Sequence, residues 1–179
     1  RFCRSEHHNS VMRRKIASHY ALINGHLERN IIIEVDDRTI TAIEHCENID
    51  CHAGVEFYPG ILIAGMVNAH CHLELSYLRD AISEGSGFAG FAGAIGRVRN
   101  NFSDEERLRA ASTADAIMWE EGVEAVADIA NDRLVMPIKE RSAIHYHTFI
   151  EFFGLNNHSV ESAHAMASGD KCSLTPHST

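Results

Sequence analysis

No stretch of this 179-residue chain is apolar for long enough to cross a membrane, although 45% of its residues are hydrophobic. Its first residues, "RFCRSEHHNSVMRRK", have no uninterrupted apolar core behind the basic ones, so a secretory signal is not expected. Positive charge is short as well: 16 Lys and Arg stand against 25 Asp and Glu, a net charge of -9. A nucleic-acid partner is therefore not expected, because binding phosphates needs a basic stripe. The five cysteines are an odd set, which without an export signal favours reduced thiols over a disulfide framework. No internal repeat, low-complexity segment or nucleophilic Ser or Cys motif is present. The expectation is a soluble, cytoplasmic protein with no membrane partner.

Thirteen histidines are present, and they invite a metal. Three of them, His7, His8 and His19, fall in or near a ragged beginning. Residues 1–11 read as a leader or expression remnant, with Met12 as a natural start. From Lys15 to Tyr58 come short β-type runs, "KIASHYALI", "NIIIEV", "RTITAIEH" and "VEFYPG". They are punctuated by turn signals at Asn24-Gly25, Asp36-Asp37 and Asn48 to Asp50. This predicts a small antiparallel β layer over residues 12–60, too thin to bury a core alone.

After Pro59-Gly60 the run "ILIAGMVNAH" predicts a strand covered on both faces. Ser83 to Gly96, with five glycines in fourteen residues, reads as a mobile loop. Ser103 and Glu106 form a capping box, so a helix starts there; Leu108, Ala111, Asp115 and Met118 step along one side and Gly122 ends it. The alternation then repeats: a strand over 123–131, a short helix interrupted by Pro137, a strand over 144–155, a helix over 159–168 and a last strand from Cys172. Strands alternating with helices imply parallel βαβ units. The fold class is α/β, with residues 61–179 as about the first four βα units of a partial eight-stranded TIM barrel. Half a barrel leaves raw edges, so the sequence reads as truncated. The spacer from Leu155 to Cys172 also reads as short for a helix with its loops.

The chemistry centres on "VNAHCHLELS", residues 67–76. Along a strand alternate side chains share a face, so His70 and His72 point together and Cys71 points away. Two imidazoles on a rigid strand end can share one divalent cation, with other groups completing the coordination. Strand C-terminal ends are where an α/β barrel builds its site. The bland alternative is a pair of exposed histidines with no metal.

"YPGILIAGMVNAHCHLELS" resembles the first-barrel-strand signature of the amidohydrolase superfamily, in its deaminase and chlorohydrolase-like branch, which includes guanine and aminodeoxyfutalosine deaminases. "SLTPHS" resembles that branch's fourth-strand motif and "FIEFFGL" its third strand. The preceding β layer is similar to the small β-sandwich domain of such proteins. The resemblance covers residues 13 to 179 in order. It implies that His70 and His72 are metal ligands for one divalent ion, zinc first and iron second, and that His177 is a catalytic residue contacting substrate or metal-held water. It implies a metal-dependent hydrolase of C–N bonds other than peptides, foremost a deaminase of an amino-substituted purine-like ring. Water activated by the metal would attack the carbon bearing the amine, and ammonia would leave. The alternatives are a chlorohydrolase or cyclic-amide hydrolase with the same site, or a non-catalytic scaffold. The partner is then a small-molecule substrate, with a homodimer as an option. The branch's remaining ligands, a fifth-strand histidine with a nearby glutamate, a sixth-strand histidine and an eighth-strand aspartate, would lie beyond Thr179.

Other signals are weaker. Glu74 could partner an imidazole and Glu151 could line the pocket, though a structural carboxylate suits both. His45, Cys46, Cys51 and His52 have loose spacing for a zinc clip and read better as residues beside a β-turn. The glycine-rich loop lacks the Gly-Lys-Ser/Thr ending of a phosphate cradle; Phe88 and Phe91 would give it apolar contact with substrate or a second subunit. His145 and His147 sit at a strand start, remote from a barrel's chemistry.

Overall fold

The structure is a computed structural model describing residues 13–82, 85, 87–152, 157–167, 169 and 171–177. The expected leader, residues 1–11, lies outside the described residues. The chain divides into two compact units between Ala64 and Gly65.

The first unit is one five-stranded sheet: β1 Arg13–Ile23, β2 His26–Glu28, β3 Ile31–Asp36, β4 Thr39–His45 and β5 Val55–Leu62. The order is β2-β1-β3-β4, with β5 pairing β1. Asn24 and Gly25 take φ of 50° and 82° and join β1 to β2 by the two-residue turn that Asn-Gly favours. Asp37, with φ 55°, turns β3 into β4. Ala21, Ile31 and Ile33 are buried together, with Val35 and Leu62 packed against them.

Several expectations change here. The layer is mixed, because β5 runs parallel to β1 while the other pairings are antiparallel. The second sheet of the expected sandwich is not among the described residues. Pro59-Gly60, read as a boundary, instead lies inside β5 at a register shift opposite Ser18 and Tyr20. Proline cannot donate to the ladder and is tolerated at such a bulge. Ser18 Oγ donates to the Gly60 carbonyl at 2.8 Å, and the Gly60 N–H donates to His19 Nδ1 at 3.0 Å. His19 is thus a structural residue of β1, outside any ragged leader.

The second unit carries a four-stranded parallel sheet in sequential order: β6 Met66–Cys71, β7 Val123–Ala130, β8 His145–Phe152 and β9 Cys172–Pro176. Between β6 and β7 come α1 Gly87–Val98 and α2 Asp104–Glu120; α3 Met136–Arg141 follows β7 and α4 Asn157–Met166 follows β8. α2 begins with the expected capping box, Glu106 N–H on Ser103 Oγ and Ser103 N–H on Glu106 Oε2. Leu73, Ala111, Val123, Val126, Val135, Ile144 and Tyr146 form the main core, and Ala130, Ile150 and Ala163 a second under α4.

Four details depart from expectation. "ILIAGMVNAH" is not one doubly covered strand: it splits between β5 and β6, and Ile61, Ile63, Met66 and Val67 are all exposed. Among the described residues β6 has a strand neighbour on one side alone, β7. The glycine-rich segment forms a helix from Gly87 onward, its glycines at 87, 90, 93 and 96 falling three apart. Pro137 opens α3 in its first turn, where its missing N–H costs nothing, and does not interrupt it. The spacer after Leu155 holds the ten-residue α4 and still returns the chain to pair parallel with β8.

No helix among the described residues is long and apolar enough to cross a membrane.

Candidate metal centre

The C-terminal ends of four adjacent parallel strands bring the candidate residues together. β6 ends at Cys71, so His70 is its penultimate residue and His72 lies just past it, with φ -126° and ψ 75°. Strand alternation therefore does not carry through to His72 as expected. The two rings nevertheless face each other, with centroids 5.2 Å apart and planes at 73°. His70 is exposed while His72 is partly buried. Burial holds the His72 pKa below its ordinary value, with the Glu151 carboxylate opposing that shift and the neighbouring His70 adding to it. Its Nδ1 is buried and has no hydrogen-bond partner among the described residues. A ring held toward its neutral form, with one nitrogen buried and unpartnered, has the donor chemistry a divalent cation takes, and the facing His70 ring sets a second imidazole beside it.

Cys71 turns to the other side and packs on the main core. Burial, with Asp128 beside it, pushes its thiol up to about 12, which disfavours the thiolate that a nucleophile or a metal ligand needs.

His177 follows β9, and its N–H donates to the Phe152 carbonyl at 3.0 Å. Its Nδ1 lies 2.7 Å from Glu151 Oε1, on the penultimate residue of β8. Asn131, just past β7, donates from Nδ2 to Glu151 Oε2 at 3.1 Å. Among the described residues Glu74 does not partner an imidazole. It is 1% exposed, and its Oε2 accepts the N–H groups of Asn131 and Asp132 at 3.0 and 3.2 Å. Burial raises its pKa to about 7, against the opposing pull of those two N–H groups.

Sequence reasoning singled out His70, His72, His177, Glu74 and Glu151, but not Asn131, Asp128 or Lys139. Asn131 carried a signal, being a polar residue closing an apolar strand. Among the described residues no group of three or more His, Cys, Asp or Glu is placed to hold a metal ion. The other candidates lie apart. Cys46 donates its thiol to the Asn30 carbonyl, His45 meets Glu28, and His147 Nε2 lies 2.8 Å from Ser173 Oγ. Phe91 is exposed on α1, and the side chain of Phe88 lies outside what the structure describes.

Solved structures share this arrangement of strands and helices. Aminofutalosine deaminase from Helicobacter pylori, in complex with methylthio-coformycin, matches 91% of this chain at 19% identity and a TM-score of 0.74. At 19% identity this likeness is one of fold, over less than half of the longer protein. An adenosine deaminase from Xanthomonas campestris with bound zinc matches 90% at 14% identity and TM-score 0.62. Atrazine chlorohydrolase from Arthrobacter aurescens, complexed with zinc, matches 92% at 15% identity and TM-score 0.66. The chain spans less than half of each, 43%, 42% and 47% of their lengths respectively. No protein-family model matches the chain, and no curated protein does.

Proposed function

We propose that this chain is the amino-terminal part of a metal-dependent hydrolase that deaminates an amino-substituted, purine-like ring. The observation that carries the reading is His72, whose buried Nδ1 lacks a partner and whose ring lies 5.2 Å from that of His70. In this reading residues 12–60 belong to a small β domain, and the second unit supplies the first four βα units of a barrel. His70 and His72 hold one divalent ion, zinc in preference to iron, and groups outside the described residues complete its coordination. Such an ion, when bound, supplies Lewis acidity that brings the pKa of water toward neutrality. His177 meets the substrate, or the water that attacks it, from the end of β9. A cytoplasmic setting suits the free thiols of Cys46, Cys71 and Cys172.

The solved deaminases support an amine leaving group. The match to atrazine chlorohydrolase at TM-score 0.66 favours a second reading, halide release from the same site. Incubating the zinc-loaded full protein with adenine nucleosides and with chlorinated triazines separates the two. Ammonia released by the wild type and lost in His72→Ala supports the deaminase, and chloride alone supports the second reading. Neither product would reject both.

A further inference from the structure

Three strand ends of the second unit are joined by side chains to which the metal pair gives no task. Glu74 holds the N–H groups of Asn131 and Asp132, Asn131 Nδ2 reaches Glu151 Oε2, and Glu151 Oε1 meets His177 Nδ1. The bonds span 57, 58, 20 and 26 residues of sequence, so they are made by the fold and not by local turns. The Glu151 side chain is 9% exposed and that of His177 29%. We infer that Glu151 and Asn131 are positioning residues for His177, fixing its ring through Nδ1 so that it meets the ligand through Nε2.

The chemistry of the three groups dictates this assignment. An ionised carboxylate only accepts, so the hydrogen between Glu151 and His177 sits on Nδ1. In the neutral ring Nε2 then carries the lone pair, and the hydrogen bond at one nitrogen sets the role of the other. Asn131 occupies the second carboxylate oxygen and keeps Glu151 from swinging away. Its own backbone is pinned by Glu74, which is buried two residues after His72. The position of His177 is thereby tied to the strand end that carries the candidate metal pair. That the ring meets a ligand at all rests on the function proposed above; its orientation does not.

The test is the imidazole 15N spectrum of the full protein, with the His177 signals identified by their loss in His177→Gln. The wild type is expected to show the hydrogen on Nδ1. Glu151→Leu removes the acceptor and is expected to lose that preference. Glu151→Gln retains a carbonyl for Nδ1 and, with the Asn131 amide turned over, is expected to keep it. Asn131→Asp sets two carboxylates against each other and is expected to disturb the shifts, and adding Glu151→Gln is expected to restore them. A simple staple between strand ends would not sort the variants in this way. Misplacing a reacting group costs about a hundredfold in rate, so kcat should fall by that order in Glu151→Leu with little change in KM. Wild-type nitrogen shifts in Glu151→Leu, or equal loss in the Gln and Leu variants, would overturn the inference. The spectra need neither metal nor substrate. The expected shifts in a protein that turns over no amine or halide would uphold the pairing while rejecting the hydrolase.

Discussion

The Leu73 N–H donates to Asp128 Oδ1 at 2.7 Å, a fully buried bond that joins the residue after His72 to β7. Asp128 Oδ2 also pairs with Lys139 on α3, whose Nζ donates to Thr148 Oγ1 at 3.0 Å. The main-chain turn that follows the His-x-His pair is therefore anchored to a buried ion pair between the sheet and a helix.

Removing one partner of such a pair strands the other charge. Asp128→Ala should cost about 3–5 kcal/mol in urea unfolding, because the Lys139 ammonium is left buried and unpaired. Replacing both residues by Leu and Met should recover much of that loss. Asp128→Asn, which keeps an acceptor for Leu73, should be milder than Asp128→Ala. Equal stability of Asp128→Ala and wild type would contradict this account.

The capping box at α2 makes a smaller claim. Ser103→Ala removes the acceptor for the Glu106 N–H, and the expected loss is about 1 kcal/mol in the same unfolding measurement. Ser103→Asp should lose little, because its carboxylate can replace the hydroxyl.

A pH dependence follows from Arg14 and Glu56. The Arg14 guanidinium grips Glu56 with two bonds, at 2.8 and 2.6 Å, and the Tyr58 hydroxyl adds a third at 2.9 Å. Hydrogen bonding from Arg14, then from Tyr58, lowers the Glu56 pKa to about 2. A lowered carboxylate pKa stabilises the fold above the unfolded value of about 4.3, and that contribution is lost as pH falls toward 2. Both side chains are well exposed, so the contribution is small and weakens with salt. The Glu56 carbonyl 13C titration should have its midpoint near 2 in wild type, and Arg14→Ala should move it up toward the ordinary range.

The sequence announced its strands best where hairpin chemistry is local. Asn24-Gly25 and Asp37 adopt left-handed backbone and set their turns unaided. The Ser103 box likewise marked the start of α2. Gly87 to Gly96 misled, because glycine disfavours a helix interior by about 1 kcal/mol per residue, yet the segment is helical. Pro59-Gly60 misled in the opposite way: a punctuation pair became a bulge inside β5, accommodated by Ser18 and His19 from the neighbouring strand. That the rings of His70 and His72 lie close together was legible from their spacing. The partners of Glu74, Glu151 and Asp128 were not, since each lies between 11 and 58 residues away and only the folded sheet brings them together.

The most direct test of the central claim is the metal content of the full protein, purified with zinc present and measured by native mass spectrometry. One ion per chain is expected in wild type, with loss of that ion in His70→Ala and in His72→Ala but not in His147→Ala, whose ring lies on Ser173. Full metal retention in both His70→Ala and His72→Ala would contradict the account and return the pair to two histidines at a strand end.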